Sequence, residues 1–268
     1  MSHEVVRTRK GLVAMRSVDA GEVMHPGVGP LVESEQLYVR QSRLAERLRC
    51  TSERNLVLFD IGMGAGSNAM AAWIESERAP ASAARLELVS FERDLGALEL
   101  ALSHPSDFAL DGERGQAARA LLAHGRHETP RTSWRLHHGD LREALAVETS
   151  LADIVFWDPF SPKANPDLWT IDAFKAIRRV ANAHCTLFTY SASTAVRAAL
   201  LLAGWAVGVG EPIGEKAATT AAAVEAADLA RPLGRDWPAR LSRPDARLPR
   251  DAPADLAAKI SALPQFSG

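Results

Sequence analysis

Short apolar runs alternating with amphipathic segments constrain this chain more than any other feature of its 268 residues. Leu56–Ile61, Leu86–Phe91, Trp134–His137, Ile154–Trp157, Thr186–Tyr190 and Trp205–Val209 each have strand length and carry few charges. Helical patterns near 67–77, 94–103, 141–147, 170–182 and 193–203 fall between them. Such strands suit burial on both faces, and regular alternation with helices predicts an α/β domain built on a parallel sheet. The β-like run Ala217–Val224 is expected to close that sheet as an antiparallel edge.

The flanks read differently. Residues 4–16 form two β-rich runs around Lys10-Gly11, a hairpin pattern, and a helical pattern spans Leu37 to Leu48. Residues 104–133 interrupt the alternation with an insertion holding one helix, 116–123. Beyond residue 231, Pro recurs at 232, 238, 244, 249 and 253 among the apolar anchors Leu233, Trp237, Leu241 and Leu248. Disordered tails are poor in such anchors, so this segment is expected to dock as a strap. Three units follow: an N-terminal extension (1–50), the α/β domain (51–225) and a Pro/Arg-rich strap (226–268).

Composition narrows the function classes. With 47% apolar and 24% charged residues the chain is globular, not collagen-like or disordered. Cys50 and Cys185 are too few for a disulfide framework and lack metal-ligand spacing, which fits a reducing compartment and predicts no metal site. No apolar run has membrane length and the opening MSHEVVRTRK has no signal-peptide core, so a cytoplasmic, membrane-free protein is expected. The net charge of −2 shows no global commitment to nucleic acid, although residues 231–250 carry six Arg against two Asp.

The first long strand runs directly into Gly62-Met63-Gly64-Ala65-Gly66-Ser67-Asn68 and then a helix. A glycine turn there lets backbone approach a ligand while helix amides face its polar groups. Glu92 ends the next strand, where a carboxylate can accept both ribose hydroxyls of an adenosine. Asp60 precedes the turn and would repel a pyrophosphate but suit an ammonium, and Asp140 can reach an adenine amino group. Three acidic strand ends around a glycine turn suit the cationic S-adenosylmethionine better than NAD. The fourth strand ends at Asp158, aimed where a reactive methyl group would sit, within a Pro-stiffened loop offering the flat faces of Phe160 and Trp169.

That loop, DPFSPKANPDLW at 158–169, resembles the D-G-F-x-P-x-x-N-P-x-x-W signature of the MnmC-type tRNA methyltransferases. Gly11, His25, Gly29, Glu33-Ser34 and Tyr38-Val39 are similar to the segment ahead of that family's Rossmann domain. DIGMGAGSN matches its glycine loop including Asn68, with Asp60 where the family usually has Glu. SFERD (90–94), HHGDL (137–141) and the helix after TYSAS follow in the family's order, so the resemblance covers residues 5–225. Its late G-x-K-R-E-M segment is represented by Gly214-Glu215-Lys216-Ala217-Ala218-Thr219, which keeps Lys216 and lacks the next Arg and Glu. Pro159 stands where the family commonly has Gly.

The resemblance implies a Rossmann-like class I S-adenosylmethionine-dependent methyltransferase with an N-terminal β-hairpin extension and a C-terminal strap. It looks like the stand-alone form without the FAD oxidoreductase domain. It implies methylation of 5-aminomethyluridine at the tRNA wobble position, with tRNA and a separate FAD-dependent oxidoreductase as partners. Under it Asp158 is catalytic, and Asp60, Gly62, Gly64, Gly66, Asn68, Glu92 and Asp140 bind the cofactor. Glu33, Phe160, Pro162, Lys163, Asn165, Trp169 and Lys216 meet the substrate. Two other readings stay open. An aminopropyltransferase of the spermidine synthase type shares the core but should gather more carboxylates near Asp158, where the loop offers only Asp167. A non-catalytic adenosine-binding subunit would have no need to keep Asp158.

Overall fold

The computed structural model describes residues 2–8, 11–24, 29–50, 54–213 and 217–267. β1 (His3–Arg7) and β2 (Val13–Ser17) pair antiparallel, and β3 (Glu22–Val23) adds a short third strand. Lys10, at the expected hairpin turn, lies outside the described residues. α1 (Pro30–Ser34) comes before the helical pattern over 37–48, which is split between a π-helical stretch (Glu35–Arg40) and α2 (Leu44–Cys50). Arg43, at φ 54°, turns the chain before α2, a conformation that ends regular helix.

The domain then alternates as its apolar runs require: β4 (Leu56–Ile61), α3 (Ser67–Arg78), β5 (Leu86–Glu92), α4 (Gly96–Ser103) and α5 (Glu113–His124). It continues through β6 (Arg126–Glu128), β7 (Thr132–His138), α6 (Leu141–Val147), β8 (Ala152–Trp157), α7 (Ile171–Arg179) and β9 (Ala181–Thr189). Last come α8 (Thr194–Leu202), β10 (Ala206–Gly210), β11 (Thr219–Ala223) and α9 (Leu256–Ser261). Among the described residues these strands form one sheet of order β10-β11-β9-β8-β4-β5-β7-β6. β4, β5, β7, β8 and β9 are parallel, while β6 and β11 run antiparallel to their neighbours.

β11 is antiparallel as expected but is not the edge: it sits between β9 and β10 and pairs with both. Its Thr-Thr-Ala-Ala-Ala sequence is almost wholly buried, which fits an interior strand with little room on either face. β10 is the edge, and it is covered. Val209 N donates to Arg231 O and Leu233 N to Val207 O, while the Gln265 amide pairs with both backbone groups of Val207. Edge strands left open invite pairing with other chains, and this strap removes that opening.

Alternation along each strand divides the core. Val57, Phe59, Ile61, Val155 and Trp157 face α6, α7, α8 and α9, whereas Leu56, Leu58, Ile154 and Phe156 face α3, α4 and α5. Leu233, Trp237 and Leu241 of the strap join the first layer, together with Leu256, Ile260 and Phe266. Leu248 does not; it is 46% exposed, so this expected anchor contributes no docking. Among the described residues no helix is long and apolar enough to cross a membrane.

Candidate active site

The chain order puts a cleft at one place. From β4 it moves to β5 on one side of the sheet, and β8 returns to β4's other side, so the crevice opens beyond the carboxyl ends of β4 and β8. Gly62 follows β4, and Asp158 follows β8 with its backbone N–H bonded to Ile61 O at 2.9 Å. Gly62, Gly64 and Gly66 have φ of 81°, 54° and 85°, a region that disfavours any residue with a Cβ. At Gly62 space also forbids one, because a Cβ would lie 2.9 Å from the backbone N and Cα of Pro159. The glycine therefore serves both the turn and the close approach of the 158–169 loop.

The cleft measures about 370 Å³. Its walls are Gly62–Ala65, Glu92, Gly139–Arg142, the loop residues from Asp158 onward, and Glu22 and Glu33 of the N-terminal extension. Six carboxylates line it (Glu22, Glu33, Glu92, Asp140, Asp158 and Asp167) against the guanidiniums of Arg93 and Arg142. An acidic, partly apolar cleft favours cationic ligands.

Glu92 ends β5 and is held by three backbone amides: Oε2 accepts from Gly64 N at 2.9 Å, and Oε1 from Arg93 N and Asp94 N at 2.7 and 2.9 Å. The carboxylate thus ties the glycine turn to the neighbouring strand. Asp140 caps α6 by accepting from Arg142 N at 2.8 Å and still stands on the cleft wall.

Asp158 has the richest surroundings. Asn68 Nδ2 donates to its Oδ2 at 2.7 Å. Tyr38, fully buried, has its phenol pushed well above its ordinary value, by burial first and then by the Asp158 carboxylate beside it. Tyr190 is also pushed up, by burial and then by Asp158 and Glu22, and its hydroxyl donates to Pro159 O at 3.1 Å. Both phenols therefore stay protonated next to the carboxylate.

The structure gathers Gly62, Gly64, Glu92, Asp140, Asp158, Glu33, Phe160 and Asn165 around this cleft. Others it places elsewhere. The sequence suggests that Asp60 faces an ammonium, yet it is fully buried and accepts from Ser90 Oγ at 2.9 Å. It alternates with Ile61 along β4, so its side chain lies on the sheet face covered by α3, α4 and α5, not beyond the strand end. Gly66 is buried against Leu98 at the start of α3. Trp169, expected to offer a stacking face, is 4% exposed; its indole N–H donates to Phe160 O at 2.7 Å and its ring packs on Phe174 and Tyr190. It anchors the loop from below. Pro162 and Lys163 are exposed on the loop's outer side, and Lys216 and His25 lie outside the described residues.

Reading the sequence did not single out Glu22, Tyr38 or Tyr190 as site residues. Glu22 accepts from Ser161 N at 2.9 Å and also from Ser161 Oγ, which fastens β3 onto the loop. A two-residue strand leaves no periodic signal, so nothing local marks Glu22. Tyr190 did carry a signal, since it closes the strand candidate Thr186–Tyr190, as Asp158 directly follows Ile154–Trp157.

Comparison with known proteins agrees with this geometry. Residues 118–225 match a family described as S-adenosyl-L-methionine-dependent methyltransferase. The chain is 34% identical over 194 residues to the tRNA 5-methylaminomethyl-2-thiouridine biosynthesis bifunctional protein MnmC of Azoarcus sp. (strain BH72), covering 70% of this chain and 30% of that protein. It thus spans about a third of the length of the curated relatives it matches. Among solved structures, MnmC2 from Aquifex aeolicus superposes with a TM-score of 0.75 at 26% identity, over 97% of this chain and 83% of that one. Spermidine synthase from Thermotoga maritima superposes with a TM-score of 0.54 at 13% identity, over 98% of this chain and 81% of that one, which is a likeness of fold alone. The acidic cleft at the β4/β8 switch point, the glycine turn and these matches lead to one conclusion: the chain is a Rossmann-like S-adenosylmethionine-dependent methyltransferase, related to MnmC over its methyltransferase part.

Proposed function

We propose that the protein methylates the aminomethyl group of 5-aminomethyluridine at the wobble position of tRNA. The observation that carries this reading is Asp158, held at the mouth of the sheet opposite Gly62, within a cleft lined by carboxylates. When bound, S-adenosylmethionine supplies an electrophilic methyl group on a sulfonium. The residues present fit it: left-handed glycines that leave backbone bare, Glu92 for ribose hydroxyls, and Asp140 with Leu141 for an adenine. An amine reaches the cleft as an ammonium, which Glu33, Glu22 and Asp158 attract. Asp158 accepts the proton that the nitrogen must lose before its lone pair can attack. Phe160 packs the uracil ring, and Asn165 lines the same side of the cleft.

Around the acidic floor stand cations suited to phosphates. Arg93 and Arg142 line the cleft, Lys163 is exposed on its loop, and Arg250 is paired with Asp167 at 2.9 Å. On this reading the partner activity is an FAD-dependent oxidoreductase that unmasks the amine, and the location is the cytoplasm, where tRNA is modified. Mass spectrometry of wobble-uridine nucleosides from cells lacking the protein should show 5-aminomethyluridine-type species accumulating at the expense of the methylated ones. An unchanged nucleoside profile would refute the assignment.

The cofactor site has its own test. Glu92→Ala should weaken S-adenosylmethionine binding by about 1–3 kcal/mol in calorimetry, the range for losing a charged hydrogen-bond acceptor. Equal affinity of the wild type for NAD and S-adenosylmethionine would contradict the site.

Carboxylate number does not argue against aminopropyl transfer, because Glu22 and Glu33 supply the acidic groups that the loop lacks. The two reactions differ in donor. Transfer from S-adenosylmethionine, with none from its decarboxylated form, separates them.

A further inference from the structure

Asn68 lies in the glycine-loop motif, where a contact to cofactor is the natural expectation. Its side chain is instead buried, at 1% exposure, and engaged by protein at both ends. Nδ2 is 2.7 Å from Asp158 Oδ2, and Oδ1 is 2.6 Å from Ser34 Oγ. An ionised carboxylate only accepts, so the amide must present its N–H to Asp158 and its oxygen to Ser34. The Ser34 hydroxyl, on α1, donates its single proton to that oxygen, with Pro30 O at 2.8 Å as the alternative acceptor. Ser34 is fully buried. A continuous chain of hydrogen bonds therefore runs from the N-terminal extension through the first turn of α3 to the carboxylate after β8.

We propose that Asn68 is a positioning residue: its amide, tied through its oxygen to Ser34, holds the Asp158 carboxylate at the angle from which it meets the substrate amine. This rests on the reading of Asp158 as the proton acceptor. Asp158 follows a strand end with a rotatable side chain, and its other neighbours, Tyr38 and Tyr190, belong to separate elements. Asn68 is the partner fixed on the helix that follows the glycine turn, so it couples the geometry of the acceptor to that of the cofactor loop. The N-terminal extension then belongs to the active site, since Ser34 holds the oxygen end of that amide.

The test is a double-mutant cycle on the purified full-length chain. It measures kcat and KM for an aminomethyluridine-bearing tRNA and calorimetric affinity for S-adenosylmethionine. Asn68→Ala should lower kcat by about 10- to 100-fold, the scale of a small misplacement of a reacting group. KM and cofactor affinity should each stay within about 2-fold, because the amide is buried and does not line the cleft. In an Asp158→Asn background the same substitution should change kcat by less than about 2-fold, the non-additivity expected when one residue acts only through another. Ser34→Ala, which removes a single hydroxyl, should reproduce part of the kcat loss and guards against misfolding of the Asn68 variant. A loss confined to cofactor affinity would return Asn68 to the cofactor site and overturn the proposal. Multiplicative effects of Asn68→Ala and Asp158→Asn would overturn it while leaving Asp158 as acceptor. Wild-type turnover in Asp158→Asn alone would instead remove the reading on which it rests, and the proposal with it.

Discussion

Asp158→Asn is expected to cut methyl-transfer turnover by about 10²-fold or more, as for loss of a general base. The substitution is nearly isosteric. The amide oxygen it introduces can still accept from Asn68 Nδ2, so the contact that orients the side chain has a successor. What disappears is the capacity to take a proton from the ammonium. On the proposed reading the carboxylate meets the substrate amine, not the ribose or adenine of the cofactor, so cofactor affinity should stay within about 2-fold in calorimetry, far below the effect on the chemical step. Turnover equal to wild type would make Asp158 a turn residue and nothing more.

The second large effect is on stability. Trp237→Ala should cost about 3–5 kcal/mol in denaturant unfolding, the range for truncating a buried aromatic. Trp237 is 6% exposed, stacks on Phe266 with ring centres 6.2 Å apart, and belongs to the same core layer as Trp157 and Phe174. Its indole N–H is buried with no hydrogen-bond partner among the described residues, so the lower end of that range is favoured and Trp237→Phe should cost less. Leu248→Ala is the matched control; at 46% exposure it should change stability by less than about 0.5 kcal/mol. A Trp237→Ala variant as stable as wild type would mean that the strap is not part of the core.

The fold was largely legible because buried strands and amphipathic helices leave strong local patterns, and β4, β5, β8 and α6 fall where their apolar runs place them. The position of β11 was not legible. Its residues show that it is a strand, but which gap it fills depends on β9 and β10 jointly. In the site, Asp158 and Glu92 follow from the rule that ligands bind at strand carboxyl ends. Asp60 shows the limit of that rule one residue earlier: Leu56, Leu58 and Asp60 alternate with Val57, Phe59 and Ile61, and this period-two pattern already assigned Asp60 to the sheet face. Trp169 misled for a different reason. An aromatic in a loop reads as a platform, but only packing reveals that its indole holds Phe160 from beneath. Glu22 comes from an element too short to have a pattern, and its contact with Ser161 spans 139 residues.

The most direct measurement is transfer by the purified protein from S-adenosylmethionine carrying a labelled methyl group to tRNA bearing 5-aminomethyluridine at the wobble position. The nucleosides are then digested and identified by mass spectrometry. The account predicts one labelled methyl on the aminomethyl nitrogen and no transfer to tRNA that lacks the amine. Absence of label from that nucleoside, or an aminopropyl group delivered from decarboxylated S-adenosylmethionine, would contradict it.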